Sequence, residues 1–230
     1  MRRLILTCLA AALVAGSTQC AGAQSQPSAP SAQPAPAVQP AEGPQVVIST
    51  SLGDITVALD PQRAPVSVDN FLRYVKEGHY DGTLVYRVVP GFVIQAGSFD
   101  SATHSRDVHD PIALEANSGL SNLRGTIAMA REEAPNTATA EFFINLSDNL
   151  RLDHHADDPG NATGYAVFGH VVSGMDVVDK IAAVPLGDNG PMAGAAPVTP
   201  IIIVKVGERD STAAPPAPGT TGNSQQTGQK

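Results

Sequence analysis

Arg87-Val88-Val89-Pro90-Gly91-Phe92-Val93-Ile94-Gln95-Ala96-Gly97 is the stretch whose reading decides the fold. Two runs of strand formers, Leu84 to Val88 and Phe92 to Gln95, flank a Val-Pro-Gly corner and predict neighbouring strands. Side chains alternate faces along a strand, which puts Val85, Arg87 and Val89 on one face. Val93 and Gln95 then meet Arg87 on one surface, and Phe92 reaches it only through an irregular corner. An ionised guanidinium among apolar neighbours is costly unless it is exposed or has partners. Arg87 is either a solvated strand residue or a charge kept for chemistry.

The same β-branched pattern recurs on both sides of this stretch. Val46 to Thr50 and Ile55 to Leu59 are separated by Ser51-Leu52-Gly53-Asp54, which predicts a hairpin. Further runs fall at Thr126 to Ala130, Phe142 to Leu146, Tyr165 to Val172 and Ile201 to Val206. Two segments have helical spacing instead. Val68, Phe71, Leu72 and Val75 follow Pro65 and stop at Gly78; Met175, Val178, Ile181 and Ala182 follow Ser173, a candidate cap, and stop near Pro185. Many strands, two isolated helices and no internal repeat predict a closed antiparallel barrel with a helix at each mouth.

The ends of the 230-residue chain differ from its middle. Arg2 and Arg3, the apolar run Leu4 to Ala15 and the small residues Ala21-Gly22-Ala23 have the layout of an export leader, cut after Ala23. The run is too short to span a bilayer, so no stable membrane insertion is expected. Both cysteines, Cys8 and Cys20, leave with the leader, and no disulfide framework remains. Losing Arg2 and Arg3 takes the formal net charge from −8 to −10, which speaks against binding phosphate backbones and hence nucleic acid. A rival reading lipidates Cys20, but Gln19 stands where a lipoprotein leader has a small residue. Residues 24–44, rich in Pro, Ala, Gln and Ser, and residues 209–230 lack the apolar side chains that would offset the entropy of ordering, and are expected to be disordered. Residues 45–208 are left for one domain.

Five ordered motifs in that domain resemble the cyclophilin peptidyl-prolyl isomerases. They are Ala64-Pro65-Val66-Ser67-Val68-Asp69-Asn70-Phe71, the opening stretch Arg87 to Gly97, Asn122 to Ala130, Glu141-Phe142-Phe143-Ile144-Asn145, and Gly164 to Gly169. The resemblance implies a mainly β fold, a closed antiparallel eight-stranded barrel capped by two α-helices. It also implies an enzyme that rotates X-Pro bonds without a cofactor or a metal.

That reaction passes through a twisted amide, with a barrier of roughly 18–20 kcal/mol. In the twisted state the prolyl nitrogen regains a lone pair, so a donor aimed at it favours the transition state over the planar substrate. Arg87 is the arginine to which the family gives that role. Phe92, Val93, Phe143 and Leu152 match the apolar socket for the proline ring, with Tyr165 at its rim. Gln95 and the backbone at Ala130 and Arg131 match positions that hold the peptide. Expected partners are proline-containing, unfolded or partly folded polypeptides in the periplasm, met by a monomeric protein. An alternative is a binding module or holdase with the same barrel and little turnover; a further one is a barrel for a small apolar ligand.

Three positions depart from the family. Glu141, counted among the peptide-binding positions, stands in place of the usual glutamine and is expected to pair with Arg87, orienting it rather than draining its donor strength. Arg151 replaces a tryptophan that in many eukaryotic members contacts cyclosporin, which predicts weak inhibition by that drug. Val93 replaces a common methionine and trims the socket. Asp153, His154, His155, Asp157 and Asp158 have the residue types of a metal cluster but lie in a polar loop with the character of solvated surface, so no metal is expected. His79, His104 and His109 are expected at the surface. No nucleophile with a serine, histidine and acid context and no phosphate-binding glycine loop is present in the sequence.

Overall fold

In the computed structural model, which describes residues 43–155, 164–188 and 190–209, the β-branched runs pair until no edge is left. The strands are β1 (Gln45–Thr50), β2 (Gly53–Leu59), β3 (Thr83–Val89), β4 (Val93–Asp100), β5 (Thr126–Met129), β6 (Phe142–Asn145) and β7 (Val167–Ser173). After them come the short β8 (Leu186–Gly187) and β9 (Ala196–Pro197), then β10 (Ile202–Glu208). Eight of them close a barrel in the order β1-β10-β3-β4-β6-β5-β7-β2, with every pairing antiparallel. Closure removes the unpaired edges that would invite another chain. The expected leader with Cys20, Asp157, Asp158 and residues 210–230 lie outside the described residues, as do all but the last two residues of the expected arm.

Alternation sorts the side chains. Ile48, Ile55, Val57, Val88, Ile94, Ile127, Met129, Phe142, Ile144, Phe168 and Ile203 point inward and form one core. Each large side chain buried there contributes about 1.5–3 kcal/mol. Helix α1 (Pro65–Lys76) delivers Phe71, whose ring centroid lies 5.6 Å from Phe142 and 5.2 Å from Phe168. Helix α2 (Met175–Ala182) delivers Val177, Val178 and Ile181 to the same core. These two amphipathic helices and the eight-stranded barrel match the expected architecture.

Pro65 opens α1, where its missing N–H costs nothing. The helix has no cap from its own chain end. Instead Glu115, from a distant loop, accepts from the amides of Val66 at 3.0 Å and Ser67 at 2.8 Å. Ser173 does not cap α2: it ends β7, and the cap is Gly174 at φ +89°. A Cβ at Gly174 would run into the Asp54 carbonyl, so only glycine fits between strand and helix.

Two strand boundaries differ from the sequence expectation in ways that matter. Strand β4 continues past Gln95 to Asp100 because Thr83 pairs with Asp100. On β3, the pairing steps from Val85–Ala96 to Arg87–Gln95, so two residues advance against one and Tyr86 is the extra residue of a bulge. Val85 therefore points into the core, not out beside Arg87 as strict alternation predicts. Beyond the bulge Arg87 and Gln95 lie directly opposite, followed by Val89 and Val93.

Candidate active site

Behind the core, the outward face of β4, β5 and β6 carries a second apolar cluster of Val93, Ala128, Ala130 and Phe143, with Val167 from β7. Phe92, Leu120, Leu152 and Tyr165 pack over it from the loops. The result is a groove of about 330 Å³ on the outside of the barrel, near the lower limit of the ~300–1,000 Å³ usual for ligand pockets. Its floor is Val93 and Phe143, only 2% and 4% exposed. Tyr165 meets Phe143 edge-on at 5.6 Å.

The irregular corner that Phe92 needed is present. Val89 to Phe92 form a turn closed by the Phe92 amide on the Val89 carbonyl at 2.9 Å. Pro90 pre-sets the second position, and Gly91 takes φ +71°, the combination a type II turn requires. This turn brings Phe92 to the groove wall, and the Arg151 guanidinium lies over its ring, 4.6 Å from the centroid.

Arg87 stands at one side of the groove, half-buried. Its Nη1 donates to Gln95 Oε1 at 2.9 Å, and Gln95 Nε2 donates to Glu141 Oε2 at 2.9 Å. Ser98 Oγ donates to the other Glu141 oxygen. The expected direct pair between Glu141 and Arg87 is thus replaced by a relay, because Gln95 occupies the space between them. Burial, and then the Glu141 charge nearby, push the Tyr86 phenol well above its ordinary pKa, so it stays a neutral hydroxyl.

At the far wall Arg131 is fully engaged by the fold. Its Nε donates to the Gly164 carbonyl and its Nη1 to the carbonyls of Glu132 and Glu133. Its guanidinium covers the Tyr165 ring at 4.8 Å. The Ala130 amide donates to the Glu141 carbonyl at 2.9 Å.

Nine of the ten residues singled out from the sequence line this one groove: Arg87, Phe92, Val93, Gln95, Ala130, Arg131, Phe143, Leu152 and Tyr165. Glu141 sits behind it, joined through Gln95. Two lining residues were not foreseen. Tyr86 enters through the bulge, and Met192 arrives from the loop between β8 and β9.

A buried amide network beneath the walls was not foreseen either. Asn145 donates to Asn122 Oδ1 and Thr126 Oγ1, and Asn149 donates to Asn145 Oδ1 at 2.8 Å and to the Phe92 carbonyl at 2.9 Å. Asn122 reaches the Leu152 carbonyl and Asp153. The network ties three loops that supply Phe92, Leu152 and Tyr165 into one frame. No sequence signal marked it, because the burial that makes these three asparagines need partners arises only when the loops meet.

Asp153 is spent in this way. Among the described residues no group of three or more His, Cys, Asp or Glu has metal-binding geometry. His79 is not a plain surface residue: it is half-buried, its Nε2 lies 2.9 Å from the Gly97 carbonyl, and burial lowers its pKa. Exposed His109 instead meets Glu77 at 2.7 Å. Among the described residues, no helix is long and apolar enough to cross a membrane.

Comparison with known proteins identifies the scaffold. A crystal structure of a Cryptosporidium parvum cyclophilin-type peptidyl-prolyl cis-trans isomerase, obtained in the presence of the dipeptide Ala-Pro, superposes with a TM-score of 0.59 at 24% identity, covering 72% of this chain and 99% of that one. That likeness concerns the fold. Peptidyl-prolyl cis-trans isomerase A of Dickeya dadantii is 49% identical over 69% of this chain and 80% of its own length. Peptidyl-prolyl cis-trans isomerase B of Escherichia coli is 45% identical over 70% of this chain and 97% of its own length. The family model for the cyclophilin type of peptidyl-prolyl cis-trans isomerase matches residues 45–208. With barrel, groove and sequence in agreement over the same residues, the chain belongs to the cyclophilin-type peptidyl-prolyl cis-trans isomerases.

Proposed function

We propose that the groove rotates X-Pro bonds in exported polypeptides and that Arg87 is the group that lowers the barrier. The observation that carries this reading is the position of Arg87: one guanidinium, tethered by Gln95 at 2.9 Å, beside an apolar floor of Val93 and Phe143. The floor takes the proline ring and strips water from it. The amide being twisted then lies beside a fixed donor. No bond is broken; the ring is held while the chain on one side turns.

A planar amide spreads its nitrogen lone pair into the carbonyl, so Arg87 has little to bind in the ground state. At the twisted geometry the lone pair is localised, and a charge-assisted hydrogen bond forms. Because the donor is already placed, it costs no reorganisation at that moment. A 10⁴-fold acceleration needs roughly 5–6 kcal/mol, shared between this bond and positioning in the groove. The Ala130 amide is committed to Glu141, so the Ala130 carbonyl and the Arg131 backbone are left to take up the peptide.

The leader pattern at residues 1–23 supports export and work in the periplasm. N-terminal sequencing of the mature protein tests the cut after Ala23, and a start at Met1 would refute it. For the activity itself, an exchange measurement on an Ala-Pro peptide compares the wild type with Arg87→Ala. Exchange slowed about 100-fold by the substitution supports the reading; equal rates overturn it.

A further inference from the structure

The Gln95 side chain lies between two groups of opposite and exclusive hydrogen-bonding character. An amide presents an acceptor oxygen and a donor NH₂ of nearly the same shape, and which end faces which neighbour is set by those neighbours. Arginine is donor only, and an ionised carboxylate is acceptor only. Gln95 takes Arg87 Nη1 on Oε1 and gives Nε2 to Glu141, so both neighbours demand the same orientation. A glutamine at position 141 has either end to offer and imposes none.

Glu141 is itself held. Ser98, three residues beyond Gln95 on β4, donates its hydroxyl to the second carboxylate oxygen. Glu141 does not line the groove, and no ion pair joins it to Arg87, so its charge acts one side chain removed from the reacting atoms. That arrangement fixes Arg87 without quenching it. We propose that Glu141, anchored by Ser98, is a positioning residue that fixes Arg87 through the Gln95 amide, and is not a ligand for the peptide. The proposal rests on the reading of Arg87 as the donor. Gln95 has its acceptor and a donor committed on opposite sides, so it serves the arginine first and the peptide second.

The test is a mutant cycle on the full chain with an Ala-Pro peptide, reading kcat and KM separately by exchange kinetics, with thermal melting as a control for folding. Glu141→Gln is expected to lower kcat about fivefold while KM stays within about twofold, since it loosens a group used only in the transition state. In a Gln95→Ala background the same substitution is expected to change kcat by less than about 1.5-fold, because the connection is already cut. Ser98→Ala gives the same pattern with a smaller fall, and it carries the comparison independently of how well Glu141→Gln folds.

Three departures from this pattern each overturn the proposal, as does a neutral Glu141→Gln. One is an equal fall in the Gln95→Ala background, which makes the effect a direct action of charge on Arg87. Another is a rise in KM with kcat unchanged, which makes Glu141 a peptide ligand. The third is a gain of about tenfold or more in Glu141→Gln, which makes the carboxylate a brake on the donor. The Arg87→Ala variant separates the two levels. If it alone is slow and Glu141→Gln is neutral, only the relay is lost; if it matches the wild type, relay and donor reading fall together.

Discussion

Replacing Arg87 with lysine separates charge from geometry more sharply than deleting it. The guanidinium is a planar fork, so one arm stays on Gln95 at 2.9 Å while the rest of the group faces the groove. A lysine ammonium keeps the charge but is one compact point, and it cannot occupy both places at once. Removing a fixed donor from a transition state costs roughly 3 kcal/mol, or about 100-fold in rate, which is the expectation for Arg87→Ala. The lysine variant retains part of the electrostatic attraction and loses the tether, for an expected loss near 2 kcal/mol, about 30-fold. Neither substitution touches the floor at Val93 and Phe143, so peptide affinity is expected to change by less than about threefold. NMR exchange on an Ala-Pro peptide gives the rate, and a titration of the same peptide gives the affinity. A lysine variant as fast as the wild type would refute the role of the fork. A loss confined to affinity would make Arg87 a binding residue.

Other expectations follow from the groove's supports. Asn149→Ala strands Asn145 Oδ1 in a site with no exposure and releases the Phe92 turn. The cost is roughly 2 kcal/mol, or about 4–8 °C in melting temperature for a domain of this size, with a rise in KM; an unchanged melt refutes the frame. His79 has its pKa lowered from 6.5 chiefly by burial, so on acidification the unfolded chain takes up the proton before the folded one. Its burial costs nothing above about pH 6.5 and weakens the fold progressively below it, as the similarly shifted His170 does. His79→Gln is therefore expected to flatten the fall in denaturation midpoint between about pH 7 and 5; an unchanged slope counts against it. Activity, by contrast, is expected to be nearly flat from about pH 6 to 9, since arginine does not titrate there. A bell-shaped profile would point to acid–base chemistry instead. Arg151, stacked on Phe92, predicts weak inhibition by cyclosporin that strengthens in Arg151→Trp; nanomolar inhibition of the wild type contradicts this.

What was legible in the sequence was whatever depends on period and on local chemistry. Alternation placed Ile94 on the face opposite Val93 and Gln95, whereas Phe143, in the uniformly buried run Phe142 to Asn145, was assigned to the groove only by the family resemblance. The Pro90-Gly91 corner announced its own geometry. Contacts that join distant loops were not legible. Glu115 caps α1 from 48 residues away, Met192 comes from a connection with no pattern, and the Asn122, Asn145 and Asn149 network has meaning only once three loops meet.

The bulge at Tyr86 belongs to the same class, and it bears most directly on the chemistry. Period-2 counting has no way to find a residue that breaks the period, and it placed Val85 and Arg87 together. Had the strand been regular, that shared face would have been one of two: a solvent face that exposed Val85, or a core face that buried an unpaired guanidinium at a cost of several kcal/mol. One extra residue resolves the conflict. Val85 turns in to the core at 4% exposure, while Tyr86 and Arg87 both face the groove. Arg87 then falls directly opposite Gln95, whose one amide reaches both the arginine and Glu141. Paired one for one from Val85–Ala96, the same chain would put Tyr86 opposite Gln95 and Arg87 opposite the inward Ile94, so with Tyr86 present the bulge is what carries Arg87 to Gln95, a precondition of the site rather than a flaw in the barrel.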